Sequence, residues 1–148
     1  MNDLIYGCAE DALSLWALQQ KIDVITGSNN KSRTERIIFY RPSFGRGPSK
    51  ATFGEFDSII IEKNRIFLIE SKWVERPTKT TEVRLAKHQI DRHKILSWYI
   101  KHWQGENDWD TFYDKWANIF PNEIETGHKV PSSKTKLSKK LKFLLDKT

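Results

Sequence analysis

Two β-rich runs held apart by four polar residues constrain this chain more than any other stretch. Residues 56–61 (Phe-Asp-Ser-Ile-Ile-Ile) and 66–73 (Ile-Phe-Leu-Ile-Glu-Ser-Lys-Trp) flank Glu62-Lys63-Asn64-Arg65, a pattern that predicts an antiparallel hairpin with a tight turn. The apolar stretches predict burial.

Three ionisable residues interrupt that hairpin: Asp57 in the first run, Glu70 and Lys72 in the second. An unpaired buried charge costs several kcal/mol, comparable with the whole net stability of a domain. A bound cation removes the conflict. If the second run is extended through Lys72, Glu70 and Lys72 share a face with Ser71 opposite, and Asp57 lies across from the neighbourhood of Glu70. Two carboxylates beside one ammonium suit Mg²⁺, with Mn²⁺ as substitute, and a lysine there can hold and help deprotonate an attacking water. The alternative is a surface hairpin whose charges are solvated or form a salt bridge.

Asp57, twelve intervening residues, then Glu70-Ser71-Lys72, led in by Gly54-Glu55-Phe56-Asp57, resembles the core motif of the PD-(D/E)xK nuclease superfamily in its G-E-x-D…E-x-K form. Phe56 stands where the superfamily's name has proline. The resemblance implies a restriction-endonuclease-like fold: an α/β αβββαβ core with a central mixed sheet flanked by helices, here with a C-terminal helical extension. It implies an Mg²⁺-dependent endonuclease, a hydrolase of DNA phosphodiester bonds. Asp57, Glu70 and the Ser71 carbonyl would hold the metal, and Lys72 would position the water. It also implies DNA as partner, with RNA as the alternative, and a homodimer where two strands are cut. Structure-selective and restriction-type cutting are both open. A non-catalytic nucleic-acid-binding or assembly module on the same fold is the competing function.

At 148 residues and 38% hydrophobic, the chain has apolar material for one core. The expected division is a nuclease-like domain over residues 1–127 and a basic tail or helix over 128–148. A lone cysteine, Cys8, offers no internal disulfide and suggests a reducing compartment. With no apolar run near the length of a membrane span and no signal peptide, the expectation is a soluble, cytoplasmic protein without a membrane partner.

The net charge of +6 is uneven: residues 31–103 carry sixteen bases against eight acids, 104–127 one base against six acids, and 128–148 seven lysines against one acid. A basic region around the motif and a second one in the tail attract phosphate backbones. A solvated face is the plainer reading of the tail alone.

Residues 3–20 read as a helix from the spacing of Leu4, Ile5, Cys8, Ala12, Leu15, Trp16 and Leu18. In several branches of the superfamily an acid on the first helix approaches the metal, and Glu10 is the best match; otherwise Glu10 or Asp11 is an ordinary polar-face residue. After a loop beginning at Gly27, residues 34–41 predict a strand. The Gly- and Pro-rich stretch that follows carries Arg41, Arg46 and Lys50 with Phe44, candidates for nucleic-acid contact. Thr80 or Thr81 would cap a long helix over residues 82–103 with Ala86, Gln89, His93, Leu96, Ile100 and Trp103 in one stripe. By the resemblance Gln89 borders the active site and orients water or a phosphate oxygen. His93 either assists or is a core histidine, and Lys87, Arg92 and Lys94 either touch phosphate or are solvated. Residues 108–120 predict an aromatic helix ended by Pro121, there for packing or an oligomer interface because the local charge repels phosphate. Residues 135–147 read as a short basic amphipathic helix, and 141–145 as the only late candidate for the core's fourth strand.

Overall fold

The computed structural model describes residues 9–28, 35–44, 54–72, 84–124 and 126–148. Leu4, Ile5, Cys8, Arg46, Lys50, Trp73, Thr80 and Thr81, together with the side chain of Glu10, lie outside them. The fold is mixed α/β, and the chain separates into two compact units: residues 1–42 with 56–83, and 43–55 with 84–148.

The first unit holds α1 (Ala9–Thr26), β1 (Arg36–Tyr40), β2 (Ser58–Glu62) and β3 (Arg65–Ile69). The expected hairpin forms, closed by Lys63 and Asn64 between the paired Glu62 and Arg65. Lys63 takes a left-handed φ of 53°, the sign that two-residue hairpin turns need at their first central position. β1 pairs with β2 from Arg36↔Glu62 to Tyr40↔Ser58, giving the order β1-β2-β3. Among the described residues all strand pairing is antiparallel. β2 is central and buried along its whole length. Ile59, Ile60 and Ile61 are together the apolar heart of this unit, each contributing roughly 2 kcal/mol by burial.

α1 runs six residues beyond its expected end and stops where Gly27 turns left-handed at φ 65°. The Gly27 N–H reaches Val24 O and the Ser28 N–H reaches Asp23 O, the paired bonds of a Schellman stop. The expected apolar stripe is not the inward one. Leu15 and Trp16 are exposed, while Leu18 and Thr26 are buried with Asp11, Ser14 and Ile22 partly covered beside them. Apolar residues occur on every side of this helix, so periodicity alone does not select a face.

The second unit contains α2 (Lys87–Trp103), α3 (Trp109–Trp116), α4 (Phe120–Glu123) and α5 (Lys136–Leu145). Trp98, Tyr99, Trp103, Trp109, Phe112 and Phe120 are buried against one another, with rings such as Trp98 and Phe120 meeting edge to face at 4.6 Å. The indole N–H groups of Trp98 and Trp109 donate to Glu123 and to the Pro131 carbonyl. Pro121 does not end a helix here; it lies in the first turn of α4, where its missing N–H costs nothing. No strand follows α2 among the described residues. Residues 141–145 are helical because Ser138, Leu141, Leu144 and Leu145 recur at helical spacing and are all buried. Thr135 caps that helix, its hydroxyl accepting the Ser138 N–H at 3.0 Å.

The segment entering the motif closes on itself within this second unit. Ser43 bridges Glu55, and the Phe44 N–H donates to Gly54 O at 3.1 Å. Gly54 sits at φ 80°, and a Cβ there would approach Arg92 Nη1 to 3.0 Å. The positive φ favours glycine here, and the Arg92 side chain would have to shift to admit a Cβ.

Candidate active site

The register of β2 and β3 ends at Ser58↔Ile69, and Asp57 and Glu70 are each the next residue beyond it, at the end of the sheet away from the Lys63-Asn64 turn. β3 stops at Ile69, so Glu70, Ser71 and Lys72 emerge beyond the strand rather than within it. The Ser71 N–H donates to Asp57 Oδ2 at 2.5 Å, and a side chain takes the place of a ladder carbonyl. On the other side the Arg41 N–H donates to Asp57 O at 2.9 Å. Asp57 is thereby held by backbone from both neighbouring strands.

A polar cleft of about 130 Å³ opens at this point, lined by Asp11, Ser14, Tyr40, Arg41, Asp57 and Ser71. α1 supplies the first two, the end of β1 the next two, and the hairpin the last. The Tyr40 hydroxyl donates to the Asp11 carbonyl; burial, then the nearby Asp11 charge, pushes its pKa up, so it stays a neutral donor. Arg41 takes φ 47°, uncommon outside glycine and found where a site imposes it. Its guanidinium pairs with Asp11 at 2.5 Å, the two side chains being 42% and 45% exposed.

Comparison with protein-family models, curated proteins and solved structures gives no match. The geometry therefore stands by itself. Among the described residues no helix is long and apolar enough to cross a membrane.

Of the residues expected at the site, Asp57, Ser71 and Arg41 line the cleft, Glu70 is the next residue beyond the register, and Lys72 is exposed one residue beyond Ser71. Gln89, Lys87 and Arg92 belong to the second unit. There the Gln89 side-chain oxygen accepts the Ala86 N–H at 2.8 Å, closing the first turn of α2, and Arg92 packs against Gly54. Asp11, Ser14 and Tyr40 were not expected to line a site. The signal for the first two was a spacing of three, then four, leading to buried Leu18, which puts them on the helix face that turns inward.

The donors present suit a hard divalent cation. Among the described residues no three His, Cys, Asp or Glu side chains cluster as ligands, but Mg²⁺ needs only one or two carboxylates and takes its remaining oxygens from water and substrate phosphate. The acids that line the cleft are Asp57 and Asp11, the second paired with Arg41.

A second carboxylate cluster occupies the opposite end of β2. Glu62 is 1% exposed yet fully matched: Arg36 Nε donates at 2.7 Å, Ser28 Oγ lies 2.8 Å from both carboxylate oxygens, and Arg65 donates to Oε2. Arg36 first, then Ser28, against the opposing effect of burial and with help from Arg65, hold its pKa down to about 2. Arg36 also pairs with Asp23 at 2.7 Å.

Proposed function

We propose that this chain is a divalent-metal-dependent endonuclease of the PD-(D/E)xK type, hydrolysing phosphodiester bonds in DNA. The observation that carries the reading is the hydrogen bond from the Ser71 N–H to the Asp57 carboxylate. It fastens the aspartate of one strand against the Glu-x-Lys segment of the next, as the motif's chemistry requires. The order α1-β1-β2-β3-α2 supports the first five elements of the αβββαβ core.

In this reading Asp57 and Glu70, with the Ser71 carbonyl, hold Mg²⁺ or Mn²⁺. The ion supplies Lewis acidity and neutralises charge on the phosphate. Lys72 orients and polarises the attacking water and balances charge as the phosphorus becomes five-coordinate. Arg41, a guanidinium at the cleft's rim, is placed to take a phosphate oxygen in exchange for Asp11.

One observation favours the non-catalytic module: Asp11 already has a cationic partner, so the cleft's acids are partly matched without metal. Incubating the purified chain with plasmid, single-stranded and four-way-junction DNA in Mg²⁺, Mn²⁺ or EDTA, beside Lys72→Ala, separates the two. Metal-dependent cutting that the variant loses by 10²- to 10⁴-fold is expected of a general acid–base group. DNA that is retained but left intact under every metal condition would leave only the binding module.

A further inference from the structure

The outer face of α5 combines charge and an aromatic ring in a way that packing does not explain. Lys136, Lys139, Lys140 and Phe143 recur at spacings of three and four and are all exposed, so they form one stripe along the helix, and exposed Lys147 follows in the turn just after it. From Lys136 to Phe143 the stripe is about 10 Å long. Phe143 is 60% exposed. Leaving a phenylalanine this far out of the core forgoes much of the roughly 2 kcal/mol its burial would contribute. Lys147 Nζ lies over that ring, 6.0 Å from its centre, so positive charge and an exposed aromatic side chain occur together.

The acids of this unit meet the helix elsewhere. Asp146, the one acid after residue 127, pairs with Lys142 at 2.6 Å. The Asp108 carboxyl, held low first by the Thr111 N–H and hydroxyl, is influenced by Lys142 as well. Lys142 lies off the stripe, towards the buried side. Lys140 Nζ reaches the Ser43 carbonyl at 2.7 Å. The stripe therefore adjoins the Ser43–Glu55 bridge, between whose ends the sequence holds Arg46 and Lys50.

We propose that this face of α5 is a docking surface for single-stranded or locally unpaired nucleic acid, the lysines taking phosphates and Phe143 stacking on an unpaired base. Charge complementarity and the ring select this occupant: every base offers a π-face, but only an unpaired one can offer it to a side chain. A basic helix lying on an anionic membrane would need an apolar face to insert. Here Leu141, Leu144 and Leu145 are buried in the unit's own core. The proposal goes beyond the cleavage reading and does not require it.

The test is fluorescence anisotropy of the full chain with a labelled oligothymidylate, a blunt duplex and anionic phospholipid vesicles, all in EDTA over a range of NaCl. The triple variant Lys136→Gln/Lys139→Gln/Lys147→Gln should bind oligothymidylate 10- to 100-fold more weakly at 0.1 M salt. It should also flatten the log–log salt slope by about 2, because three ammonium groups no longer displace counterions from phosphates. Phe143→Ala should weaken single-strand binding roughly tenfold with the slope and duplex binding unchanged. All four side chains are exposed, and circular dichroism should show the fold intact. Parent-like affinity and slope in both variants would overturn the proposal, as would a parent that binds vesicles but not oligothymidylate. Cutting assayed in parallel with Mg²⁺ keeps the two readings apart: α5-dependent binding without any cutting sinks the nuclease alone.

Discussion

Glu62 and Asp57 lie at opposite ends of the same stretch of hairpin, and they are held by different kinds of donor. Glu62 is buried beneath Arg36, Ser28 and Arg65, every one a side-chain donor aimed at it. Asp57 is half-buried at the mouth of an open cleft and is held by backbone, accepting the Ser71 N–H at its carboxylate and the Arg41 N–H at its carbonyl. A carboxylate saturated by guanidinium groups is a structural element, because a further cation would have to displace them. A carboxylate steadied by a neutral amide keeps its full charge and spare lone pairs for a ligand. Burial and charge alone do not separate these two acids; the kind of donor does.

The sharpest way to break this contrast is to neutralise each acid. Asp57→Asn should abolish metal-dependent cutting while leaving Tm and DNA binding nearly unchanged, whereas Glu62→Gln should do the reverse. The expected loss at Asp57 is 10²-fold or more in rate, as when a group acting on developing phosphate charge is removed. Cutting assayed at equal folded concentration reads the first effect and thermal unfolding the second. A folded Glu62→Gln protein that no longer cuts would show that both ends of β2 serve the site.

The next effect is on stability and its pH dependence. Glu62→Gln leaves Arg36 and Arg65 around a neutral amide, and a fall in Tm of roughly 5 °C or more at pH 7 follows from breaking a buried ionic cluster. Because the folded carboxyl is held at about 2 against an ordinary value of 4.5, its stabilising contribution is fully present above pH 4.5. It is lost progressively as pH falls towards 2. The Tm gap between parent and Glu62→Gln should therefore narrow across that window. A gap constant from pH 7 to pH 2.5 would mean that the ion pairs contribute nothing.

The hairpin and its turn were legible in the sequence because the strand period and the turn residues are local signals. The end of β3 was not, since it depends on the Asp57 carboxylate capturing the Ser71 N–H fourteen residues away. Nor was the fate of Glu62, which reads as an ordinary turn residue until Ser28 and Arg36 arrive from 34 and 26 residues upstream. The inward face of α1 escaped for a different reason. With Leu13, Leu15, Trp16 and Val24 all exposed, its apolar residues mark several faces at once, and tertiary packing selected the one with Asp11 and Ser14.

The smallest expected effect tests whether the cleft's own ion pair resembles the Glu62 cluster. Arg41 and Asp11 are each more than two-fifths exposed, so solvent screening limits the pair to about 0–1 kcal/mol. Arg41 also holds a left-handed φ of 47°, which costs a non-glycine residue about 1 kcal/mol or more. The two contributions oppose each other. Arg41→Gly should consequently leave stability within about 0.5 kcal/mol of the parent, while Arg41→Ala, which loses the pair and keeps the strain, should be less stable than Arg41→Gly by about 1 kcal/mol. Urea unfolding of the three proteins measures both differences. Should Arg41→Gly instead fall as far as Glu62→Gln, the cleft's guanidinium would be as structural as the one beneath Glu62. Should it match the parent, the strained arginine is kept at the cleft for its charge, which is what a phosphate-facing group requires.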